Sequence, residues 1–303
     1  MTSIGSRSAA VALGLLVDRV VGEPPAHLHP VAAFGQLMTR FESVRWRDDR
    51  VAGAEYGAVG VATAALVGTL ARSTAAAVAV STAGRELRSV AADVGDRLDA
   101  DDLDGARAAL PSLVGRDPSE LDTSDISAAV VESLAENTVD AVVASAFWGA
   151  VAGPRGALVH RAVNTMDAMV GHRSERYGRY GTATARLDDA ANYLPARLFA
   201  GLVIAARPDR ASAIVEAIRR DAPAHPSPNA GVAEAAVAGA LGIELGGPLR
   251  YGGRHEDRPR LGRGPRPEPR HVREAIALVD RVELLLGGLL AAIALVGYAR
   301  ARR

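Results

Sequence analysis

Three carboxylates recur at helical spacing in VESLAENTVDAVVASAFWG, residues 131–149: Glu132, Glu136 and Asp140 form an i, i+4, i+8 row on one side of an α-helix. Like charges at that spacing oppose the helix that carries them. A solvated acidic face is the ordinary reading of such a row, but this one runs directly into uncharged apolar residues, where solvation fails. The charge therefore asks for compensation by a bound Mg2+, a substrate ammonium or an arginine from another helix.

Three further stretches carry polar groups in patterns that suit chemistry. In VNTMDAMVGHRSERYGRYG, residues 163–181, Asn164, Asp167 and Gly171 share a face at i, i+3, i+7, and a polar loop follows with Arg173, Arg176, Tyr177 and Arg179. An acid and an amide beside guanidinium groups suit a phosphate-plus-metal site, while Met166 and Met169 read as packing. In ARLDDAANYLPARL, residues 185–198, Asp188, Asp189 and Asn192 crowd one turn between Arg186 and Arg197. Intrahelical ion pairing is the simpler reading, and Pro195 implies a kink or a helix start that would aim the polar groups at a cavity. In RDAPAHPSPNAGVAEAAVAGALG, residues 220–242, Ser227 reads as an N-cap, Pro228 as the first helical residue and Gly242 as the stop, with Glu234 between. His225, Ser227, Asn229 and Gly231 around that helix start would offer unpaired N–H groups to an anion.

Near the N-terminus, VDRVVGEPPAHLHPV joins Asp18 and Arg19 to a Pro-rich turn ending in His29 and Pro30; a lone His is more often structural than catalytic. His160 and His172 likewise read as ordinary polar contacts. The chain contains no P-loop, no G-x-S-x-G, no H-E-x-x-H and no dinucleotide fingerprint.

The elements that must hold these groups are helical. Ala, Val, Leu and Gly dominate, and no sustained alternation is bounded by Asn-Gly or Asp-Gly turns. Uncharged runs cover 56–71, 73–84, 141–154, 198–206 and 284–299. Each falls short of the roughly 20 apolar residues that cross a bilayer, unless Arg72 is tolerated within 56–84. Their Gly and Ala content suits close helix packing in lipid, and the last run ends in a basic flank, ARARR, of the kind that stays cytoplasmic. The expectation is an all-α, multipass integral membrane protein with polar motif loops and short broken helices, forming a single domain over 1–303. Within it, 85–125 reads as a solvated helical hairpin breaking at Asp101 and Asp102 and at Pro111, and 253–270 as an Arg/Pro/Gly-rich loop. Asp18 and Arg19 interrupt the first apolar run, so no removable signal peptide is expected.

Composition excludes several chemistries. All 35 cationic side chains are arginine, which rules out lysine Schiff bases and P-loop lysines. With no cysteine, there are no disulfides, thiolate nucleophiles or Cys-ligated metals. Zero net charge and 4% aromatic residues give neither the field nor the stacking platforms for nucleic acid.

Taken in order, DRVVGEPP with HPV, LVGRD at 113–117, VESLAENTVDAVVAS, RAVNTMDAMVGHRSERYGRYG, ARLDDAANYLPARL, HPSPNAGVAEAAVAGALG and LGGPLRYGG at 245–253 resemble the CobD/CbiB family of cobalamin biosynthesis, the adenosylcobinamide-phosphate synthases. The match covers most of the chain. It departs mildly at Gly22, Glu23, Pro24, where a GDP turn is expected, and at His172, where MVGY is common.

The resemblance implies a multipass protein of the cytoplasmic membrane, open to the cytoplasm. It implies ATP-dependent amide formation between adenosylcobyric acid, the corrinoid substrate, and (R)-1-amino-2-propanol or its O-phosphate. Under it, Glu132, Glu136, Asp140, Asp167 and Asp188 are the catalytic candidates, and Glu136, Asp140, Asp188 and Asp189 the candidate Mg2+ ligands. Asn164, Arg176, Arg186, Asn192, Arg197, His225, Ser227, Asn229 and Gly231 are the candidates for substrate and phosphate. Self-association, or association with other membrane enzymes of the pathway, is compatible with it. An AmpE-like membrane sensor without synthase chemistry is the alternative, although a regulator would have no reason to keep AENTVD, RLDD and HPSPN together. A transporter of short broken helices lacks the expected inverted repeat.

Overall fold

The computed structural model describes residues 4–115, 117–172, 174–251 and 254–302. Arg116 and Arg173, in two of the motifs above, and Gly252 and Gly253 lie outside the described residues. In chain order the helices are α1 (Ile4–Val21), α2 (Pro30–Arg45), α3 (Arg50–Leu70), α4 (Thr74–Ala79), α5 (Gly84–Asp99), α6 (Leu103–Ala109), α7 (Thr123–Thr138), α8 (Ala144–Val170), α9 (Thr182–Ala206), α10 (Ala211–Asp221) and α11 (Ala230–Leu241). An antiparallel hairpin of β1 (Glu244–Tyr251) and β2 (Arg254–Gly262) precedes α12 (Pro269–Ala301). The protein is an all-α membrane protein to which the described residues add this small sheet. The stretch read as a loop over 253–270 instead contributes β2 from Arg254, leaving loop only beyond Gly262.

Among the described residues, three segments are long and apolar enough to cross a membrane: Arg50–Leu70, Thr123–Val170 and Pro269–Ala301. α3 reaches spanning length without Arg72 because it starts earlier than its uncharged run. The Asp49 side chain caps it by accepting from Ala52 N at 2.7 Å. The chain then breaks at Arg72, and α4 restarts under a Ser73 cap. In α12 only 17% of the most apolar window is buried, leaving Leu284, Leu289, Leu295 and Val296 exposed, the surface of a helix whose solvent is hydrocarbon. The 48-residue segment Thr123–Val170 would run about 72 Å if straight. It is broken twice, by a π-helical turn over Val139–Val143 and by Gly153, whose φ of 65° precedes Pro154.

The chain divides into two compact units. One comprises Met1–Arg85, Asp140–Pro195 and Gly287–Arg303; the other comprises Glu86–Val139 and Ala196–Leu286. In the first, α3 packs closely on α8 through Gly60 and Gly68, while Gly53 meets the Tyr180 backbone and Gly57 faces Thr184 and Leu187 of α9. A Cβ on Gly60 would lie 2.2 Å from Met166 Sδ, and one on Gly68 2.5 Å from Arg155 Cα. Close backbone approach thus replaces the hydrophobic drive that lipid does not supply. Met38, Tyr56, Met166 and Tyr180 fill the core beside that seam. Asp18 accepts from Gly84 N and Arg85 N, capping the start of α5. His29 caps α2 through Nδ1, with Pro30 in its first turn, a structural role.

In the second unit α11 is surrounded by α7, α10 and the hairpin. Asp102 caps α6, and Gly242 ends α11 in the left-handed conformation with φ 71°. A bulge between Leu245 and Gly247 turns the Gly246 N–H out of the ladder. Along the other strand, Gly262 N donates to Asp221 Oδ2 at 2.8 Å.

Candidate functional site

The acidic row does not stay on one face. After Thr138 the π-helical turn adds a residue to the helical repeat and rotates the residues beyond it, a feature frequent at functional sites. Glu132 and Glu136 belong to one unit and Asp140 to the other, so the predicted stripe is divided between two polar clusters.

The first cluster is organised by Asn192, which is buried. Its Nδ2 donates to Asp140 Oδ1 and to Asp188 Oδ2, both at 3.0 Å. Its Oδ1 accepts from His160 Nε2 at 2.9 Å. Two acceptors on the NH2 group and a donor on the oxygen fix the amide's orientation and place the imidazole proton on Nε2. α8 brings His160, Asn164 and Asp167 to one face, and α9 brings Asp188, Asp189 and Asn192. Trp148 Nε1 ties the two helices by donating to Ala191 O at 3.0 Å.

Asn164 hydrogen-bonds Asp188 and accepts from Arg161 at 3.5 Å; Arg161 lies in the field of Glu23 and Asp140. Gly171 is needed here, because a Cβ would lie 1.8 Å from Asp167 Oδ1. Asp188 Oδ1 and Asp167 Oδ1 are buried without a hydrogen-bond partner. Burial pushes the Asp188 carboxyl up to about 6, with the charge of Asp189 adding to the rise and the hydrogen bonds from Asn192 and Asn164 opposing it. An apolar cavity of about 350 Å³, lined by Phe34, Leu37, Leu158 and Thr165, reaches the cluster's neighbour Arg161.

The second cluster is built of acids in direct contact. Glu132 Oε1 accepts from Gly246 N, the bulge amide, at 2.9 Å. Glu234, whose side chain is 2% exposed, is hydrogen-bonded to Glu136; burial first, then the charges of Glu136 and Glu132, hold its carboxyl well above the usual range, while Arg258 opposes them. His225 Nε2 stands 3.6 Å from Glu234 Oε1.

The helix start expected to cradle an anion does not. Its cap is Asn229 rather than Ser227, and the helix begins at Ala230 rather than Pro228. Ser227 Oγ accepts from Asn229 N and Ala230 N, and Ser227 O accepts from Gly231 N, so those N–H groups are already paired. A phosphate here would also meet Glu234 and Glu136. Gly231 serves to seat the imidazole, since a Cβ would lie 2.5 Å from His225 Cβ. Arg197 anchors the loop by donating to Asn229 Oδ1 at 2.8 Å and Pro228 O at 3.1 Å.

Of the remaining candidates, Arg176 is committed elsewhere, donating twice to Glu42 Oε1 and lying 4.5 Å over Trp46. Arg186 is exposed on α9. Of the four expected Mg2+ ligands, Asp140 and Asp188 share Asn192 with Asp189 beside them, and Glu136 belongs to the other unit. Sequence reasoning read His160 only as an ordinary polar contact and passed over Arg161 and the role of Glu234. His160 shares an i, i+4, i+7 face with Asn164 and Asp167, and Glu234 is the lone charge in AGVAEAAVAGAL, a signal in itself since an unpaired acid is seldom fully buried.

The family model described as CobD/Cbib protein matches residues 11–279. A "Cobalamin biosynthesis protein CobD" of Mycobacterium tuberculosis is 45% identical over 286 residues, covering 90% of this chain and 91% of that protein. One of Pelobacter propionicus is 43% identical over 263 residues, covering 80% and 81%, and one of Chromobacterium violaceum 40% over 304, covering 94% and 96%. No solved structure matches the chain.

Proposed function

The chain belongs to the CobD/CbiB family of cobalamin-biosynthesis proteins, and from that premise we propose that it catalyses the amide-forming step. Adenosylcobyric acid, through its propionate carboxylate, is joined to (R)-1-amino-2-propanol or its O-phosphate with consumption of ATP. The observation that carries the reading is Asp188, a buried carboxylate with one oxygen unpartnered and its acidity set near 6, held by two asparagine amides.

A carboxylate and an ammonium at neutral pH form a salt, not an amide. The carboxylate is a poor electrophile and the ammonium has no lone pair. Mg·ATP supplies phosphoryl activation of the propionate. Asp140 and Asp189, beside Asp188, fit that ion, since Mg2+ takes carboxylate oxygens and keeps several waters, and Asp188 is left for the proton. The chain's own work is the proton. An acid with pKa near 6 is ionised at neutral pH yet basic enough to take a proton from the bound amine. Asn164 and Asn192 hold Asp188 in position, Asp167 lies beside it, and Asn192 relays the constraint to His160. Arg186, exposed on the same helix, is the guanidinium placed for phosphate. We assign the protein to the cytoplasmic membrane, which the three apolar helices support, with this cluster open to the cytoplasm, where nucleotide is supplied.

The test is corrinoid amide formation by the detergent-purified protein from adenosylcobyric acid, Mg·ATP and either amine, with Asp188→Asn alongside. Amide formed only with ATP, and lost in the folded variant, is expected. A folded wild-type protein that turns over neither amine would overturn the reading in favour of the regulator.

A further inference from the structure

We propose that Glu136, His225 and Glu234 form a binding site for one first-row transition-metal dication, Zn2+ or Mn2+ by donor chemistry, separate from the Mg2+ that accompanies nucleotide. One carboxylate oxygen from each acid and a ring nitrogen of His225 all lie within 4.8 Å of one another. The site does not depend on the amide-forming assignment.

An acidic pair alone would carry little weight, but His225 adds an independent observation. Its side chain is 5% exposed, and its Nε2 is buried without a hydrogen-bond partner, as is Glu234 Oε1 facing it. Their 3.6 Å separation is too long for a hydrogen bond. It is close to the roughly 3.4 Å edge between two ligands on a tetrahedral ion with bonds near 2.1 Å. Nδ1 stands 3.1 Å from the Ser227 carbonyl. The Ser227 N–H also stands 3.1 Å from Nδ1; in the tautomer that donates Nδ1–H to the carbonyl, as metal binding requires, the Nε2 lone pair faces Glu234 and Ser227 O gives the outer support that metal-binding histidines ordinarily have.

Charge and donor type then choose the ligand. Two carboxyl groups in contact beside an imidazole need a cation or a shared proton between them. An imidazole with carboxylates selects a transition dication over Mg2+ or Ca2+, which prefer oxygen alone. The chain has no thiolate to compete for it. Glu136 is only half-buried, which gives an ion a way in, and Gly231 leaves room for the ring.

The experiment uses the full-length, tag-free protein in detergent, stripped with chelator and dialysed against Zn2+, Mn2+ or Mg2+ separately, with bound metal measured directly. One tight equivalent of Zn2+ or Mn2+ is expected, lost in His225→Ala and in Glu234→Gln. It should weaken in Gly231→Ala, which removes no donor but presses on His225 Cβ and the Ala222 carbonyl. X-ray absorption at the metal edge of the wild-type protein needs no variant; imidazole back-scattering from one ring plus oxygen donors is expected. Retention of the same equivalent in His225→Ala, a spectrum with oxygen donors only, binding of Mg2+ alone, or no retained dication would each overturn the proposal. Because metal content is the readout, its failure is distinct from failure of the synthase assay.

Discussion

The two polar clusters use the same raw material and solve its problem differently. In one, Asp140 and Asp188 are separated by the carboxamide of Asn192, which donates a hydrogen to each and accepts from His160. In the other, Glu136 and Glu234 touch with no amide between them. A buried carboxylate must be neutralised, hydrogen-bonded or paired. An amide bridge meets that need with neutral donors and leaves the acid free to exchange a proton, whereas carboxyls in contact require a proton or a cation. The amide-bridged cluster therefore reads as chemistry and the contact cluster as binding.

The largest effect should come from removing the bridge. Asn192→Leu removes the shared partner of Asp140, Asp188 and His160, and each of these lost hydrogen bonds to a charged or buried group costs about 1–3 kcal/mol. A loss on the order of 3 kcal/mol or more is expected, with a large fall in detergent melting temperature and no activity. A variant that melts like wild type would remove the distinction between the clusters.

Asp188→Asn should separate function from stability. Amide formation should fall about 100-fold or more, the usual contribution of a positioned base. The wild-type rate should rise with pH through about 6 as Asp188 ionises. Because this acid's folded pKa lies above the ordinary carboxylate value, the folded state holds its proton longer than the unfolded chain. Its stabilising contribution is present at low pH and is lost as pH rises through about 6. Asp188→Asn abolishes that dependence, so melting curves across the mildly acidic to neutral range should be flatter than those of wild type.

In the contact cluster, Glu132→Ala removes the acceptor of the Gly246 bulge amide. A cost of about 1–3 kcal/mol is expected for that unpaired N–H, read by melting temperature. Metal content should persist, since Glu132 is not among the proposed ligands.

Much of this was legible because helix punctuation is local. Gly242 marks an end that a left-handed residue fixes through its own neighbours. The hairpin was not legible, because ELGGPLRY and RHEDRPRLG lack the β-branched alternation of a self-sufficient strand. Glu132 and Asp221 hold its backbone amides instead. The π-helical turn that follows the Glu132, Glu136 pair was not legible, since it leaves no residue signature in VDAVV. The partners of Asn192 and Glu234 were hidden for the same reason that they matter. Each bonds to residues on other helices, which spacing along one helix cannot reveal.

The smallest effects should come from two arginines of similar sequence setting. Arg186→Ala, at an exposed position, should leave melting unchanged and raise the KM for ATP if its guanidinium meets phosphate. Arg176→Met should do the reverse. Its guanidinium is held by Glu42 Oε1 at 3.0 and 3.2 Å, and that oxygen also accepts from Tyr177 Oη at 2.9 Å. Removing it leaves Glu42, itself 7% exposed, with the tyrosine hydroxyl, and the methionine can still cover Trp46. A slightly lower melting temperature with an unchanged KM is expected. A raised KM for ATP in Arg176→Met would mean that Arg176 exchanges Glu42 for phosphate during turnover, adding a moving cation to the amide-forming site.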